Sequence, residues 1–585
     1  MTTPEADLNQ IRRQIMWTRL IAVVEEQAKA LMRTAFSETV SEAGDLSAGV
    51  FDRQGRMIAQ AITGTAGHVN SMAEAVPHFL AKFPVTRMVE GDHFITNDPW
   101  LVSGHLHDVT VVSPAFYRGQ VVALFACTCH QVDIGGRGQG IDARSVYEEG
   151  LFLPVMALAR AGQLNRDLLE IIRENVRQPD AVEGDILSYI TANEVGGRKL
   201  GQLLDEFPEI DFAGLADFII RRSQAAVVAE IGRWPQGTYR HHMTLDGIDS
   251  PIELVVSLTI AAERILVDYA GSAPASPYGI NLVLNYTKAY SAFGVRTAIG
   301  PAVPNNSGSL APIVISAPAG SILNVPRPAP VAARHIIGLF LPDLVLGCLA
   351  QARPDQLPAE SASVWGIQLR GGPEATRHFG RPDDPRAAPA FDILLFNSGG
   401  AGARPAQDGL SATAFPSGIK TVPVEIAETA APIVIWRKEL RPDSGGAGRW
   451  RGGLGQSVEV NPAGDAPFAV FAMWDRVANP ARGRAGGRPG APLRPSLAAG
   501  QPIQAKGKQF IAPANRLCLD FPGGGGFGDP LDRDLARVAH DVAEGLVSRE
   551  AALALYGVVI GEDGAVDRPA SAAERARRQR RDPDD

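Results

Sequence analysis

The chain holds only four cysteines in 585 residues: Cys127, Cys129, Cys348 and Cys518. So few and so scattered a set excludes a disulfide framework and fits a reduced, cytoplasmic setting. Cys127 and Cys129 would share one face of a strand, but no second close pair supplies the other ligands of a cysteine zinc site. Long apolar runs are also lacking. The longest, such as Ile336 to Leu341, are too short to span a bilayer, so no membrane association is expected. The N-terminal MTTPEADLNQ is polar, and Arg12 and Arg13 interrupt the apolar residues beyond it, which argues against a signal peptide. There is no basic excess: 56 Lys and Arg face 64 Asp and Glu, for a net charge of −8. A nucleic-acid surface needs a positive field to release counterions, so that class of partner is excluded.

What is present is an ordinary globular composition, 45% hydrophobic and 21% charged. This length supports several hydrophobic cores, roughly two to four subdomains. Leu8, Ile11, Ile15, Val24, Ala28, Leu31 and Ala35 recur at mostly helical steps, predicting one long amphipathic helix over residues 5–38. Strand-like runs follow at Ser47 to Phe51 and Arg56 to Ala59, around the turn Asp52-Arg53-Gln54-Gly55. Helical spacing returns from Ser71 to Phe83. Residues 92–135 alternate strands and turns, and the charged stretch Arg166 to Gly232 reads as several helices. Tyr239 to Leu245, Ile252 to Leu258 and Ile265 to Tyr269 are again strand-like, with Asp246-Gly247 marking a hairpin. Past residue 360 the chain is rich in Gly and Pro. A helical unit returns at Leu531 to Tyr556, and Glu574 to Asp585 has no apolar anchors and is expected to be disordered.

These elements predict a mixed α/β (α+β) chain of several subdomains with mixed and antiparallel sheets. The expected division is 1–235, an N-terminal α/β region carrying the site; 236–360, a central β-rich or mixed region; 361–530, a Gly/Pro-rich β region; and 531–585, a helical unit and tail.

Six of the eleven histidines fall between His68 and His130, where an even spread would put about one. Histidine and carboxylate together are the usual ligands of zinc, manganese or iron, and they also serve as general acids and bases. Val109 to Val112 and Val121 to Ala126 read as paired strands, with Tyr117-Arg118-Gly119-Gln120 as the turn. If Arg118 and Gly119 are its central residues, Asp108 lies opposite Cys129 and His107 opposite His130. His105, His107, Asp108, His130 and Asp133 then gather at one end of a hairpin. A straight strand would point His105 and Asp108 to opposite faces, so a bulge or turn near Gly104 is required before both can bind one ion.

Elsewhere the chemistry is plainer. His68, just before a helical stretch, either lines the site or caps the helix. Asn97-Asp98-Pro99 is turn chemistry. Gly523 to Gly526 lacks the lysine and the strand–helix setting of a phosphate loop, so it reads as a glycine-rich turn with close backbone packing. The same holds for residues 398–402. No dinucleotide fingerprint is present.

The run FITNDPWLVSGHLHDVTVVSPAFYRGQVVALFACTCHQVDIGG closely resembles the hydantoinase B/oxoprolinase family. Further matching blocks occur in order: RTAFSETVSEAGDLSAGVFDRQGRMIAQA, YAGSAPASPYGINLVLN, RPDSGGAGRWRGGLGQ, and FPGGGGFGDPLDRDLARVAHDVAEGLVSREAALALYGVVI. The resemblance covers nearly the whole chain. It implies that His105, Asp108 and His130 hold a divalent metal (Mn, Zn or Fe); beside them, His107, Asp133 and His68 are expected to serve as acid–base or supporting groups. The chain departs from the common pattern in having Val102-Ser103-Gly104 before the first histidine, His107 in place of a proline, Gln131 in place of a second histidine, and Arg137-Gly138-Gln139-Gly140 in place of a Pro-Gly step. Asp133, Gly135, Gly136, Tyr147, Glu149 and Gly150 keep it.

The resemblance further implies that ATP and Mg are bound by a separate, actin-like hydantoinase A-type subunit, in a hetero-oligomer such as a dimer of heterodimers. The expected activity is ATP-dependent hydrolysis of a cyclic amide: hydantoin, 5-oxoproline or a lactam. The alternatives are a subunit of a ketone carboxylase of the acetone or acetophenone type, and a non-catalytic scaffold.

Overall fold

The computed structural model describes residues 4–380 and 390–580. The chain divides into two compact units, the first formed by Met1–His242, Leu254–Cys348 and Ser417–Val422, the second by Met243–Glu253, Leu349–Pro416 and Pro423–Asp585. Secondary structure is mixed α/β, with antiparallel and mixed sheets.

The first unit is built on a seven-stranded sheet of β1 (Leu46–Phe51), β2 (Met57–Gln60), β3 (His93–Thr96), β4 (Asp108–Tyr117), β5 (Gln120–His130), β6 (Met156–Arg160) and β7 (Gln163–Leu164). Its order is β2-β1-β5-β4-β3-β6-β7, and neighbours are antiparallel. Alternation along β4 and β5 feeds two cores. Val109, Val111, Phe125, Cys127 and Cys129 join α1 (Pro4–Thr34) and α5 (Pro179–Glu206) on one face. Val112, Leu124 and Ala126 face α3 (Ala66–Lys82) on the other. Strand periodicity therefore turns both cysteines away from the face that carries Asp108 and His130. Between α1 and α3 lies the short α2 (Glu38–Ser41), and α4 (Arg166–Asn175) and α6 (Phe212–Ile231) flank α5 in sequence.

The first helix is shorter than its predicted span and only partly amphipathic in use. Val24, Ala28 and Leu31 are buried, whereas Leu8, Ile11 and Ile15 are 47%, 57% and 46% exposed. A second sheet, ordered β11-β10-β9-β8, contains β8 (Gly237–Leu245), β9 (Ile252–Ile260), β10 (Ile265–Asp268) and β11 (Ile313–Ser316), the last pair parallel. α7 (Leu284–Ala298) packs close to α3, and a Cβ at Gly67 would lie 2.6 Å from the Tyr290 ring. After α8 (Ser307–Leu310) come α9 (His335–Gly338) and α10 (Leu341–Ala352). Together these two form an apolar stretch, His335–Ala352, longer than the runs read from the sequence and long enough to cross a membrane. It is 83% buried within the protein, as a core helix is.

The second unit carries two four-stranded sheets, β13-β12-β16-β18 and β14-β15-β19-β17, drawn from Val364–Gly371, Phe391–Ser398, Ile433–Leu440, Gln456–Pro462, Phe468–Met473, Arg494–Leu497, Lys506–Ile511 and Leu517–Asp520 in chain order. Its most unusual part is a bundle of extended segments outside any strand. Gly400, Gly453 and Gly524 come together there through Gly453 N–H to Ala401 C=O (2.9 Å) and Gly524 N–H to Gly453 C=O (3.0 Å). An added Cβ would sit 1.7 Å from a carbonyl oxygen at Gly400, 2.0 Å at Gly453 and 2.1 Å at Gly524, so only glycine allows the backbones this close. All four amides of Gly523 to Gly526 are spent on backbone carbonyls of Ala491, Gly453, Glu360 and Arg488, leaving none to cradle a phosphate.

The C-terminal region departs from its predicted disorder. A helix runs Arg568–Gln579, capped by Asp567, whose side chain accepts from Ala570 N–H. Arg575 Nε donates to the Tyr556 carbonyl (2.9 Å) and its Nη2 to that of Arg533 (2.8 Å). These polar anchors replace the apolar ones the tail lacks. Residues 581–585 lie outside the described residues.

Candidate metal centre

The site forms where β4 begins and β5 ends. Register in this hairpin differs from the predicted one by a residue. Tyr117 pairs with Gln120 around the Arg118-Gly119 turn as expected, but an irregularity comes next: Ala115 pairs with Ala123 and Phe116 with Val121. Val122 is the extra residue of this bulge, and beyond it Asp108 lies opposite His130 and Val109 opposite Cys129. The predicted pairings of His107 with His130 and of Asp108 with Cys129 are thereby corrected.

His105 and His107 precede the strand, in a turn following Gly104, whose φ of +91° places it where glycine is favoured. A Cβ there would also come within 2.8 Å of the Arg334 side chain. The turn frees His105 from strand alternation and lets its ring fold back onto Asp108.

Asp108 is the centre of the cluster, and its two oxygens have different neighbours. Oδ1 lies 2.7 Å from His105 Nε2 and 3.2 Å from His130 Nδ1. Oδ2 lies 3.0 Å from His68 Nε2 and accepts a charge-assisted hydrogen bond from Arg334 Nη2. One ligand atom each from His105, Asp108 and His130 fall within 4.8 Å of one another, and all three residues are buried. Two imidazole nitrogens and a carboxylate oxygen suit a divalent transition metal. His105 Nδ1 donates to the carbonyl of Ala332 (2.9 Å), which directs its Nε2 lone pair toward the centre.

Around this group, electrostatics and burial act in opposite directions. Burial would raise the Asp108 carboxyl, but His105, His68 and Arg334 outweigh it and hold the pKa well below the usual range. Burial, aided by the Arg334 charge, pushes His105 down to about 3. His68 is lowered by burial but raised more by Asp108 and Asp45, so its net shift is upward. Burial raises Asp45, whose Oδ1 lies 3.6 Å from His68 Nδ1. His68 is thus set between two carboxylates in the first turn of α3, while Thr65 occupies the N-cap position.

His107 lies beside the triad and outside its ligand atoms. Its ring stacks on His130 at 5.2 Å and 8°, its Nδ1 is buried without a partner, and burial drives its pKa well below the ordinary value. Asp133 is engaged elsewhere. Its Oδ1 accepts from Gly135 N–H (3.0 Å) and Arg177 Nη1 (2.7 Å), and its Oδ2 from Arg177 N–H. These contacts tie Asp133 to the loop backbone at Gly135 and to Arg177. Gln131 donates to the Tyr189 hydroxyl.

Sequence reasoning missed Arg334 and Asp45. Arg334 had a signal: a cation inside the apolar run from Val331 to Leu341, which must find a buried partner. Asp45 had none beyond its place after Gly44 at the start of a strand.

Residues 9–530 match the family model described as Hydantoinase B/oxoprolinase. The beta subunit of caprolactamase from Pseudomonas jessenii is 30% identical over 94% of this chain and 96% of its own length. The crystal structure of an ATP-dependent caprolactamase from Pseudomonas jessenii superposes with a TM-score of 0.87 at 28% identity, covering 97% of this chain and 99% of that one. A nucleotide-free acetone carboxylase structure shares the fold, with a TM-score of 0.84 at 21% identity over 97% of this chain and 83% of the other.

Proposed function

The chain belongs to the hydantoinase B/oxoprolinase family, and from that premise we propose that it is the ring-opening subunit of an ATP-dependent cyclic-amide hydrolase. The substrate class is a hydantoin, 5-oxoproline or lactam ring. The buried group of His105, Asp108 and His130 carries the reading, because a polar cluster so costly to bury needs a chemical purpose.

ATP is assigned to an actin-like partner subunit in a hetero-oligomer such as a dimer of heterodimers. The run Gly523 to Gly526 spends all four of its amides on backbone carbonyls, which fits a division of labour. Phosphorylation of the amide oxygen by the partner turns a poor electrophile into an imidate-like one. Water then adds at that carbon, the ring nitrogen gains a proton and the C–N bond breaks to leave an acyl phosphate, which a second water hydrolyses to carboxylate and phosphate.

The residues of this chain have distinct parts in that sequence. His105, Asp108 and His130 would hold a divalent ion of the manganese, zinc or iron kind, which supplies Lewis acidity and offsets negative charge at the reacting carbon. Arg334 and His68 hold Oδ2 of Asp108, so Oδ1 stays aimed at the two histidines. His107, its ring stacked on His130 and its Nδ1 unpartnered, takes the proton from the attacking water.

The test is ATP turnover and ring opening by the two-subunit complex with a series of cyclic amides. The double variant His105→Ala/Asp108→Ala should lose ring opening by at least about a hundredfold. Unchanged ring opening in that variant, or a strict requirement for bicarbonate with a ketone acceptor, overturns the proposal.

A further inference from the structure

A strap of chain, residues 328–334, touches the metal group twice. The Ala332 carbonyl accepts from His105 Nδ1 (2.9 Å), and Arg334 donates to Asp108 Oδ2 and, through Nε, to the Ser103 carbonyl. Two of the three candidate ligands are therefore oriented by the same short segment.

The strap is anchored from behind by one side chain. Glu149 Oε1 accepts from the backbone N–H of Val331 (2.5 Å) and of Ala332 (2.8 Å). Glu149 follows the turn Val146–Glu148, and Val146 N–H donates to the Pro328 carbonyl (3.0 Å), so the same loop grips the strap at its start and at its middle. Asn281 Nδ2 to the Pro330 carbonyl (3.0 Å) and Ala333 N–H to the Gly279 carbonyl (2.7 Å) complete its fastening. The Glu149 side chain is fully buried, and its Oε2 meets no polar partner.

We propose that Glu149 is a positioning residue for the His105–Asp108–His130 group, acting through the 331–334 strap to fix the His105 tautomer and the Arg334 contact. This rests on the metal-centre reading above. No carboxylate reaches Nδ1 of His105: Ala332 stands between, its N–H donating to Glu149 Oε1 and its carbonyl accepting from His105 Nδ1. The Ala332 N–H and carbonyl belong to successive peptide units, so Glu149 acts by fixing where Ala332 sits, and with it the carbonyl that holds His105 Nδ1. Burial pushes the Glu149 pKa up to about 8, so near neutrality its Oε1 accepts as the carbonyl of an uncharged acid. The role then demands an acceptor of the right reach and no charge.

That demand sets the test. Purified two-subunit complex is stripped with chelator, and zinc and manganese affinities are measured by competition with a chromophoric chelator. Glu149→Gln keeps a neutral acceptor and should bind within about threefold of wild type. Glu149→Ala leaves two buried N–H groups without an acceptor and should lose at least about tenfold in affinity. Glu149→Asp, one methylene short of the strap, should lose affinity in the same direction and serves if the alanine variant does not fold. Glu148→Ala, which breaks only the Arg137 pair in the same loop, should match wild type.

Alanine and aspartate variants that fold and bind as wild type overturn this inference and leave the metal centre standing. A glutamine variant as weak as the alanine one also overturns it, by showing that charge is what matters. A wild-type complex that binds neither ion overturns the metal centre and this inference with it.

Discussion

Asp108 and Arg334 stand 226 residues apart in the chain and meet directly, guanidinium to carboxylate, with both side chains buried. The contact uses only Oδ2, so the cation holds the carboxylate without covering the oxygen that faces His105 and His130. Its fork also matters. Arg334 spans Ser103 and Asp108 at once and lies over the Tyr286 ring at 3.9 Å.

Replacing Arg334 by Met should therefore weaken metal binding by about ten- to a hundredfold, since the carboxylate loses one of its two supports on Oδ2. Arg334→Lys should fare little better, because a point charge on a flexible stem cannot bridge both acceptors. Metal content after dialysis measures this. Full retention in both variants would remove Arg334 from the centre.

His107 should separate binding from chemistry. His107→Gln is expected to keep metal occupancy, because the ring contributes none of the clustered ligand atoms, and to lower kcat by about a hundredfold or more. Parallel loss of metal and turnover, or loss of neither, would contradict the assigned proton transfer.

Outside the site, His93 should make the fold acid-sensitive. Burial lowers its pKa to about 4, and its Nδ1 pairs with Ser113 Oγ at 2.7 Å. The unfolded chain takes a proton near pH 6.5 while the folded one refuses it until about pH 4. The contribution is therefore complete above pH 6.5 and is lost as the pH falls toward 4, on the order of 3 kcal/mol in all. His93→Gln should flatten urea-unfolding stability over that window. Parallel curves for the two proteins would refute the assignment.

In the glycine bundle, Gly524→Ala should cost about 3 kcal/mol or more, because its Cβ would meet a backbone carbonyl oxygen that cannot swing aside. Gly500→Ala is the control for added volume: its φ is +80° but no atom lies within 4 Å, so only the smaller backbone strain remains. Equal unfolding midpoints for the two variants would show that close packing is not the cause.

Much of the fold was legible in the residues. The strands flanking Asp52 to Gly55, the helices between Arg166 and Gly232, and the turn at Arg118 and Gly119 follow local rules of spacing and turn chemistry. The need for a turn near Gly104 was also readable, since strand alternation forbids what His105 and Asp108 do together. The bulge at Val122 was not: nothing in a run of apolar residues marks which one leaves the ladder. Arg334 and Glu149 reach the site only through tertiary contacts between segments remote in sequence, and no local pattern encodes those. The exposed Leu8, Ile11 and Ile15 show the converse, a helical stripe correctly spaced but without a core to enter.

The glycine bundle has a further consequence. Ordinary cores find their alignment by matching shapes of side chains, and many substitutions preserve the match. Here alignment is enforced by exclusion. If the segment carrying Gly400 slid by one residue, Ala401 would come to a place where a Cβ lies 1.7 Å from oxygen. Each hydrogen in place of a side chain thus works as a stop against sliding, and the alphabet permitted at those positions shrinks to one letter.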